Sequence, residues 1–309
     1  MIYEYALDPN MLRGWASNNR DYAEFMREYG LGTPRLVSSF PRKKASKLRS
    51  YFLSEGPGDI DSLHGQRYLE MVVKIVDSLI IREVHELQSE DWAERTKAEN
   101  EREPFDVILS SEAIDTPRNI TSDNMYGIDS LWNHPRQKNI QRTFEGLNEA
   151  VKNIFRLATN QITIVDAYGW TQPAIAAIQS LIELMKVNRV NIKLPNIYLY
   201  YKERVDRHNS RNSSPSAGHL KYQILDGLQG DHEDINLYVF ELKEVDGEDV
   251  FHNRCIFSEH GGVILGHGIG VSGDEAHTDD VSLMEEAIYE NKYRQFVGDN
   301  RFDIATQSR

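Results

Sequence analysis

A stretch of twenty residues near the C-terminal end, FHNRCIFSEHGGVILGHGIG (251–270), constrains the fold more than any other part of the chain. Two apolar runs lie on either side of a short polar segment that contains glycine. This pattern predicts two antiparallel strands joined by a tight turn. The stretch also contains three histidines and one arginine. Buried strands seldom carry that many polar groups. The hairpin is therefore the first candidate location for a functional site.

The side chains of the predicted hairpin divide between its two faces. With the turn at residues 260–261, Arg254 lies opposite His267. Because successive side chains of a strand point to opposite faces, His252 then shares the face of Arg254 and His267, at the open end of the hairpin. Cys255 falls on the other face, which is almost wholly apolar. The pattern predicts a polar site at the open end and a thiol packed in the core.

The residue types at this open end favour an anion. Zinc requires three or four neutral or anionic ligands, and Arg254 beside two histidines opposes a cation. The stretch has no cysteine pair, no H-E-x-x-H spacing and no G-x-S-x-G elbow. A guanidinium group binds phosphate oxygens through two parallel hydrogen bonds, and a neighbouring histidine can act as nucleophile or acid on a phosphodiester. We predict a phosphate site, without a metal ion.

The order of helices and strands predicts an α/β sandwich with a mixed sheet for residues 138–309. Helical and strand patterns alternate there, and the strand QITIVDAYG (161–169) is rich in β-branched residues. Residues 1–137 contain a strong amphipathic helix at 66–88, with short helices and loops before it. We predict two domains, a mainly helical one over residues 1–137 and an α/β one over residues 138–309.

Charge and composition limit the partners and the compartment. The chain has 309 residues, a formal net charge of -13 and one cysteine, and it shows neither a signal peptide nor an apolar run that could cross a membrane. A cytoplasmic protein without a membrane partner is expected. One local basic run opposes the overall charge, and it is either a solvated surface or a nucleic-acid patch. Its members are Arg35, Arg42, Lys43, Lys44, Lys47 and Arg49.

The hairpin resembles that of the phospholipase D-like (PLD-like) family. That family carries H-x-K-x4-D-x6-G-S-x-N, and this chain keeps the spacing in His252-x-Arg254-x4-Glu259-x6-Gly266-His267-x-Ile269. Only the histidine and the first glycine are identical. The segment ITIVDAYGW (162–170) is also similar to the IVDPY strand of that fold. The resemblance covers about residues 138–300 and implies a PLD-like mixed-sheet sandwich.

A divergent branch of the family is more similar, with H-D/N-R in place of H-x-K and G-x-G-L in place of G-S-x-N. This branch includes the membrane-binding domain that follows an MIT domain in a eukaryotic abscission protein. Other members look like bacterial proteins of antiviral defence or conflict gene clusters, and the bacterial resemblance extends into the N-terminal segment.

The resemblance assigns a role to each candidate catalytic residue. His252 stands where active members have the histidine that attacks phosphorus. Arg254 and His267 would bind phosphate, and Glu259 would be an orienting carboxylate. Ile269 stands where the family has an asparagine, and it cannot donate that hydrogen bond. The family uses two histidine motifs for each site and this chain has one, so a catalytic form implies a homodimer or a partner protein.

Three interpretations of the site remain open at this point. In the first, the protein is a degenerate PLD-like recognition or scaffold subunit of a bacterial defence or conflict system and binds a phosphate or phosphodiester. In the second, it is a dimeric PLD-type nuclease with His252 as nucleophile. In the third, His252 and Arg254 only satisfy buried carbonyls or acids such as Asp166. None of the three requires a cofactor.

Overall fold

The computed structural model describes residues 1–83, 89–127, 131–206, 213–230, 232–247, 250–252, 254–274, 276–299 and 301–308. These residues form a mixed α/β structure, which confirms the predicted fold class. The chain divides into two compact units, each with its own sheet. The N-terminal unit comprises residues 2–136 and 190–192, and the C-terminal unit comprises residue 1, residues 137–189 and residues 193–309.

The N-terminal unit contains a parallel sheet of four strands with the spatial order β2-β1-β3-β4. The sequence analysis predicted helices here but not this sheet. The strands are three to five residues long and almost entirely buried, so they lack the polar–apolar alternation that marks a half-exposed strand. The elements in chain order are β1 (Tyr3–Leu7), α1 (Pro9–Ser17), α2 (Asn19–Glu28), β2 (Arg35–Val37), α3 (Ala45–Ser54), α4 (Leu63–Asp77), α5 (Trp92–Arg102), β3 (Val107–Ser110) and β4 (Asn119–Thr121).

Helices pack on both faces of this parallel sheet. Tyr5 and Leu109 belong to a large apolar cluster with residues of α1, α2, α3 and α4. Ala6 and Ile108, whose side chains alternate with those, pack with residues of α5 in a smaller cluster. The unit is therefore layered as helices, sheet and helix, and the carboxyl ends of its parallel strands share one edge.

The C-terminal unit is built on an eight-stranded mixed sheet with the spatial order β12-β8-β7-β6-β9-β10-β11-β5. β6, β7 and β8 run parallel, and the other neighbouring pairs are antiparallel. Its elements are β5 (Gln137–Gln141), α6 (Phe144–Leu157), β6 (Gln161–Asp166), α7 (Gln172–Val187), β7 (Asn196–Lys202), α8 (Ala217–Asp226), β8 (Leu237–Lys243), β9 (Arg254–Ser258), β10 (Gly261–Leu265), β11 (Thr278–Leu283), α9 (Glu286–Tyr293), a π-helical turn (Arg294–Gly298) and β12 (Asp303–Ser308).

The predicted hairpin forms as β9 and β10, in the centre of this sheet, but its register differs by two residues from the prediction. Ser258 pairs with Gly261, so the turn residues are 259 and 260. The physical reason is Gly261, which follows the turn with a φ of +111°, as in hairpins whose turn is followed by a left-handed glycine. The shift is even, so the predicted division of side chains between the faces is unchanged.

The apolar face of the hairpin is covered by α9. Tyr289 meets the Phe257 ring edge-on, with ring centroids 5.9 Å apart. Cys255 is fully buried, and burial raises the pKa of its thiol to about 12. Cys255 is thus a packing residue, as the sequence analysis predicted. Within the residues placed by the structure, no helix has the length and apolar character needed to cross a bilayer.

Candidate functional site

Arg254 begins β9 at the open end of the hairpin. It pairs with Asp166, the last residue of β6, and directly paired residues project to the same face of a sheet. Its Nη1 donates a hydrogen bond of 2.8 Å to the carbonyl oxygen of Gly266. The guanidinium carbon lies 5.8 Å from the centre of the Tyr168 ring. The Arg254 side chain is half-buried, and its other nitrogens donate to no residue that the structure describes.

Two buried carboxylates fix the loop Gly266–Ile269, which follows β10. Asp279 accepts a hydrogen bond of 2.9 Å from the amide of His267. Asp166 accepts one of 2.8 Å from the amide of Ile269. Together with Arg254, three charged side chains hold this short loop. The backbone position from which His267 projects is therefore well defined.

Gly268 allows the loop to approach the site closely. Its φ is +94°, in the left-handed region that favours glycine. A Cβ at this position would lie 2.4 Å from Asp166 Oδ2 and 3.1 Å from Arg254 Cδ. Only a residue without a side chain fits between the carboxylate and the arginine.

Asp166 and Arg254 lie close together. In the described structure, however, their charged groups do not approach within 4.0 Å, so they form no ion pair. Burial raises the pKa of the Asp166 carboxyl above its ordinary value, against the opposing effect of the Ile269 and Tyr168 amides and of Arg254. Arg254 thus binds the carbonyl oxygen of Gly266, an exposed residue and not the buried carbonyl of the third interpretation, while Asp166 is bound mainly by backbone amides.

The two histidines of the predicted site are both exposed. His252 precedes β9, and its amide donates to the carbonyl oxygen of Val250 at 3.1 Å. Asn253, between His252 and Arg254, lies outside the described residues. Neither imidazole ring forms a hydrogen bond with a residue in the part of the chain that is described. No described hydrogen bond therefore orients either ring, and the acid near His252 is Glu244, whose pKa is lowered by a hydrogen bond from a lysine and, to a smaller extent, by the His252 charge.

Glu259 lies at the opposite end of the hairpin, five residues along the strand from Arg254, or roughly 17 Å. Its carboxylate accepts hydrogen bonds from the amides of Thr159, Asn160 and Gln161. Burial alone would raise the pKa of Glu259, but the neighbouring His260 and the Thr159 and Asn160 amides lower it below its ordinary value. The structure thus separates Glu259 from the other predicted residues and shows it binding the turn before β6.

The basic run of the N-terminal unit is divided by burial. Arg35 is buried, ion-paired with Glu28 at 3.1 Å, and its guanidinium carbon lies 4.1 Å from the centre of the Trp132 ring. Arg35 therefore cannot contribute to a surface patch, which corrects its inclusion there. Arg42 is half-buried, and the remaining members are exposed: Lys43, Lys44, Lys47 and Arg49.

A cleft of about 350 Å³ at the carboxyl ends of β1 and β3 was not predicted from the sequence. In open α/β sheets, ligands commonly bind at this edge. No lysine or arginine lines the cleft, so it favours cationic over anionic groups. Two of the carboxylates that line the cleft have a structural role, because Asp8 caps α1 and Asp91 caps α5. Its charged and aromatic lining residues are Asp8, Tyr51, Glu55, Glu90, Asp91, Trp92 and Glu112.

No group of three or more His, Cys, Asp or Glu side chains is arranged to hold a metal ion in the described ranges of the chain. The functional residue that the sequence analysis missed in the C-terminal unit is Asp279. It belongs to the polar run HTDD (277–280), which has the composition of a solvated loop. Its pairing with the His267 amide is visible only after folding.

The sequence matches no family model, and no curated protein matches it significantly. A solved structure of TrmBL2, described as an archaeal chromatin protein with a novel mode of DNA binding, is similar at 10% identity and a TM-score of 0.28. The match covers 56% of this chain and 55% of that protein. At this TM-score the similarity supports no conclusion about fold or function.

Proposed function

We propose that the protein recognises a phosphate or phosphodiester group at the open end of the β9–β10 hairpin, as a recognition or scaffold subunit. The observation that carries this proposal is the state of Arg254. One of its nitrogens binds the Gly266 carbonyl, which restricts the position of the guanidinium group, and the others donate to no described residue. His267 projects from a loop that is anchored beside it.

The electrostatics of the site also favour an anion. Asp166 lies near Arg254, but no ion pair within 4.0 Å joins their charged groups in the described residues. The Oδ atoms of Asp166 are further occupied by the amides of Tyr168 and Ile269. The positive charge of Arg254 is therefore left for a ligand.

The biological setting is proposed from the sequence resemblance alone. The divergent PLD-like branch includes bacterial proteins of antiviral defence and conflict systems, and we propose that this chain is a component of such a system. Nucleic acid is the phosphodiester that such systems encounter. A homodimer or a partner protein is proposed on the same basis.

The alternative proposal is a dimeric PLD-type nuclease in which His252 attacks phosphorus. A nucleophile is normally oriented by a neighbouring base or acid. The nearby acid is Glu244, which binds Lys202 and the Phe251 amide and forms no hydrogen bond with His252 in the described structure. The side chain of Ile269 offers no hydrogen bond in place of the family's asparagine. These two observations favour recognition over catalysis.

Ligand binding by the purified full chain tests the first proposal. The probes are inorganic phosphate, a mononucleotide, and single- and double-stranded oligonucleotides, measured by calorimetry or fluorescence anisotropy. Because hydrogen bonds to charged groups contribute about 1.5–3 kcal/mol, we expect Arg254→Gln to weaken binding about 10- to 100-fold. Arg254→Lys keeps the charge but loses the planar fork, so we expect an intermediate loss. His267→Ala should also weaken binding.

The control is Arg294→Gln, which removes an exposed arginine from the end of α9. Equal affinities of Arg254→Gln and Arg294→Gln, or no binding of any probe by folded wild-type protein, would contradict the proposal. Cleavage of a chromogenic phosphodiester or of an oligonucleotide, abolished in His252→Ala, would establish the alternative. Light scattering would then be expected to show a dimer.

A further inference from the structure

The start of α3 carries positive charge that the proposed site in the C-terminal unit does not use. Lys43, Lys44 and Lys47 are exposed there, and Arg42 beside them is half-buried. None of these four residues forms an ion pair with another residue that the structure describes. In a chain of net charge -13, such a group of unpaired cations is a local exception. We call these four residues the α3 basic surface.

Two arginines meet at one carbonyl oxygen next to this surface. Arg42 Nη1 donates to the Pro41 oxygen at 3.3 Å, and Arg95 Nη2, from α5, donates to the same oxygen at 3.1 Å. Neither guanidinium group is ion-paired to a described carboxylate. The Nε of Arg95 is buried and has no hydrogen-bond partner in the described structure. Burial and the nearby Arg42 charge both lower the pKa of Arg95. An anion bound between the two groups would relieve their repulsion.

The positive surface ends at Tyr51. The guanidinium carbon of Arg42 lies 4.5 Å from the centre of the Tyr51 ring, which supports the arginine from one side. Lys47 and Glu55 lie one helical turn before and after Tyr51 on the same face of α3. Glu55 lines the acidic cleft. The charge along this face therefore changes sign at Tyr51.

We propose that the α3 basic surface, together with Arg95, binds the phosphate backbone of a nucleic acid. The two guanidinium groups suit phosphate oxygens, and the lysines add charge that a polymer of phosphates meets at successive positions. A membrane fits less well, because no large apolar side chain is exposed between residues 42 and 50. The inference goes beyond the proposed function, since it concerns a different unit of the chain.

Salt-dependent binding to labelled oligonucleotides tests the inference. Single- and double-stranded DNA and RNA are each titrated with the full chain, so that the preferred form of backbone is identified. With about four phosphate contacts, affinity should fall roughly 50- to 150-fold between 50 and 200 mM salt. Lys44→Gln should weaken binding of all sequences alike and reduce the salt slope by about one. Arg42→Gln should weaken binding at least as much.

Lys97→Gln is the matched control, since it removes one exposed lysine from α5 of the same unit. Equal weakening by Lys97→Gln, or no binding by folded protein at low salt, would overturn the inference. Lysine-dependent binding to vesicles of phosphatidylcholine and phosphatidylserine, without binding to oligonucleotides, would overturn it in favour of a membrane. Measuring Arg254→Gln in the same assay separates the two proposals. If Arg254→Gln weakens binding to nucleic acid and Lys44→Gln does not, the α3 basic surface is rejected as a binding site, while the proposed site at Arg254 is supported.

Discussion

Some residues of this protein have structural roles that their spacing in the sequence does not reveal. Glu259 occupies the position of a family aspartate, yet its carboxylate binds three consecutive amides before β6. Asp279 looks like a surface acid in the sequence, yet it is buried and holds the amide of His267. In both cases the partner is a backbone group that folding brings close, so the residue type alone does not indicate the role.

The Glu259 carboxylate should make stability depend on pH. Since the fold lowers its pKa, the ionised form stabilises the protein above the ordinary pKa of about 4.3, and this contribution is lost as the pH falls through the lowered value. We expect Glu259→Gln to reduce the free energy of unfolding in urea by about 3 kcal/mol at pH 7, and the difference to shrink below about pH 4. Glu290→Gln, at an exposed position of α9, should show neither effect. A pH-independent difference for Glu259→Gln would contradict the assignment.

Gly268 provides a second test at this scale. A methyl group there would be strained by the positive φ and would collide with Asp166 Oδ2. We expect Gly268→Ala to lower the free energy of unfolding by about 1–3 kcal/mol. Gly273→Ala is the control, because a Cβ at Gly273 meets no atom within 4 Å and its φ is not positive. If the two variants are equally stable, the loop is not packed as described.

At the scale of secondary-structure elements, α1 and α5 both begin at the carboxyl edge of the parallel sheet. The residues that cap them show how one side chain can join two elements. Asp8 caps α1 through the Asn10 amide at 2.9 Å, and its other oxygen accepts from the amide and hydroxyl of Ser111 after β3. Asp91 caps α5 through the Glu94 amide at 2.8 Å, and its carboxylate binds no residue of a second element among those that the structure describes. The two caps are alike locally but differ in their long-range contacts.

The two caps should therefore differ in energetic value. We expect Asp91→Ala to cost about 1 kcal/mol, the usual contribution of a helix cap. Asp8→Ala should cost about 2–4 kcal/mol, because it also removes the buried carboxylate that binds the amide and hydroxyl of Ser111. Chemical denaturation followed by tryptophan fluorescence measures both. A larger loss for Asp91→Ala than for Asp8→Ala would show that Asp8 does not link α1 to the loop after β3.

At the scale of the whole molecule, the chain divides into two compact units, each with its own sheet. Three of the four tryptophans, Trp15, Trp92 and Trp132, lie in the N-terminal unit, and only Trp170 lies in the C-terminal unit. Fluorescence therefore reports mainly on the N-terminal unit, whereas far-ultraviolet circular dichroism reports on both. Separate cores commonly unfold in separate transitions.

We accordingly expect two unfolding transitions that respond to different substitutions. Asp8→Ala should move the transition seen by fluorescence to lower denaturant, and Glu259→Gln should move the other one. Circular dichroism and fluorescence recorded on the same samples test this. One coincident transition for wild type and both variants would show that the two units unfold together.

The sequence by itself determined the elements with strong local patterns. The periodicity of residues 66–88 predicted the helix observed as Leu63–Asp77, but it placed the end of the helix too late. Residues 78–83 are not helical, since Ile80 forms a bridge with Ser38, and residues 84–88 lie outside the described part of the chain. The β-branched run at 161–169 predicted β6, and the apolar runs around the glycines predicted the β9–β10 hairpin and the apolar face that buries Cys255. These patterns depend on neighbours within a few positions, so a single sequence contains them.

Tertiary structure alone decided the groups that meet across long distances in the chain. It buried Arg35 against Trp132, separated Glu259 from Arg254, and placed Asp166 on the Ile269 amide 103 residues away. It also assembled the short buried strands of the N-terminal unit and the acidic cleft at their edge. Such contacts form because most polar groups that become buried must find a partner, and that partner is chosen by the packing of whole elements.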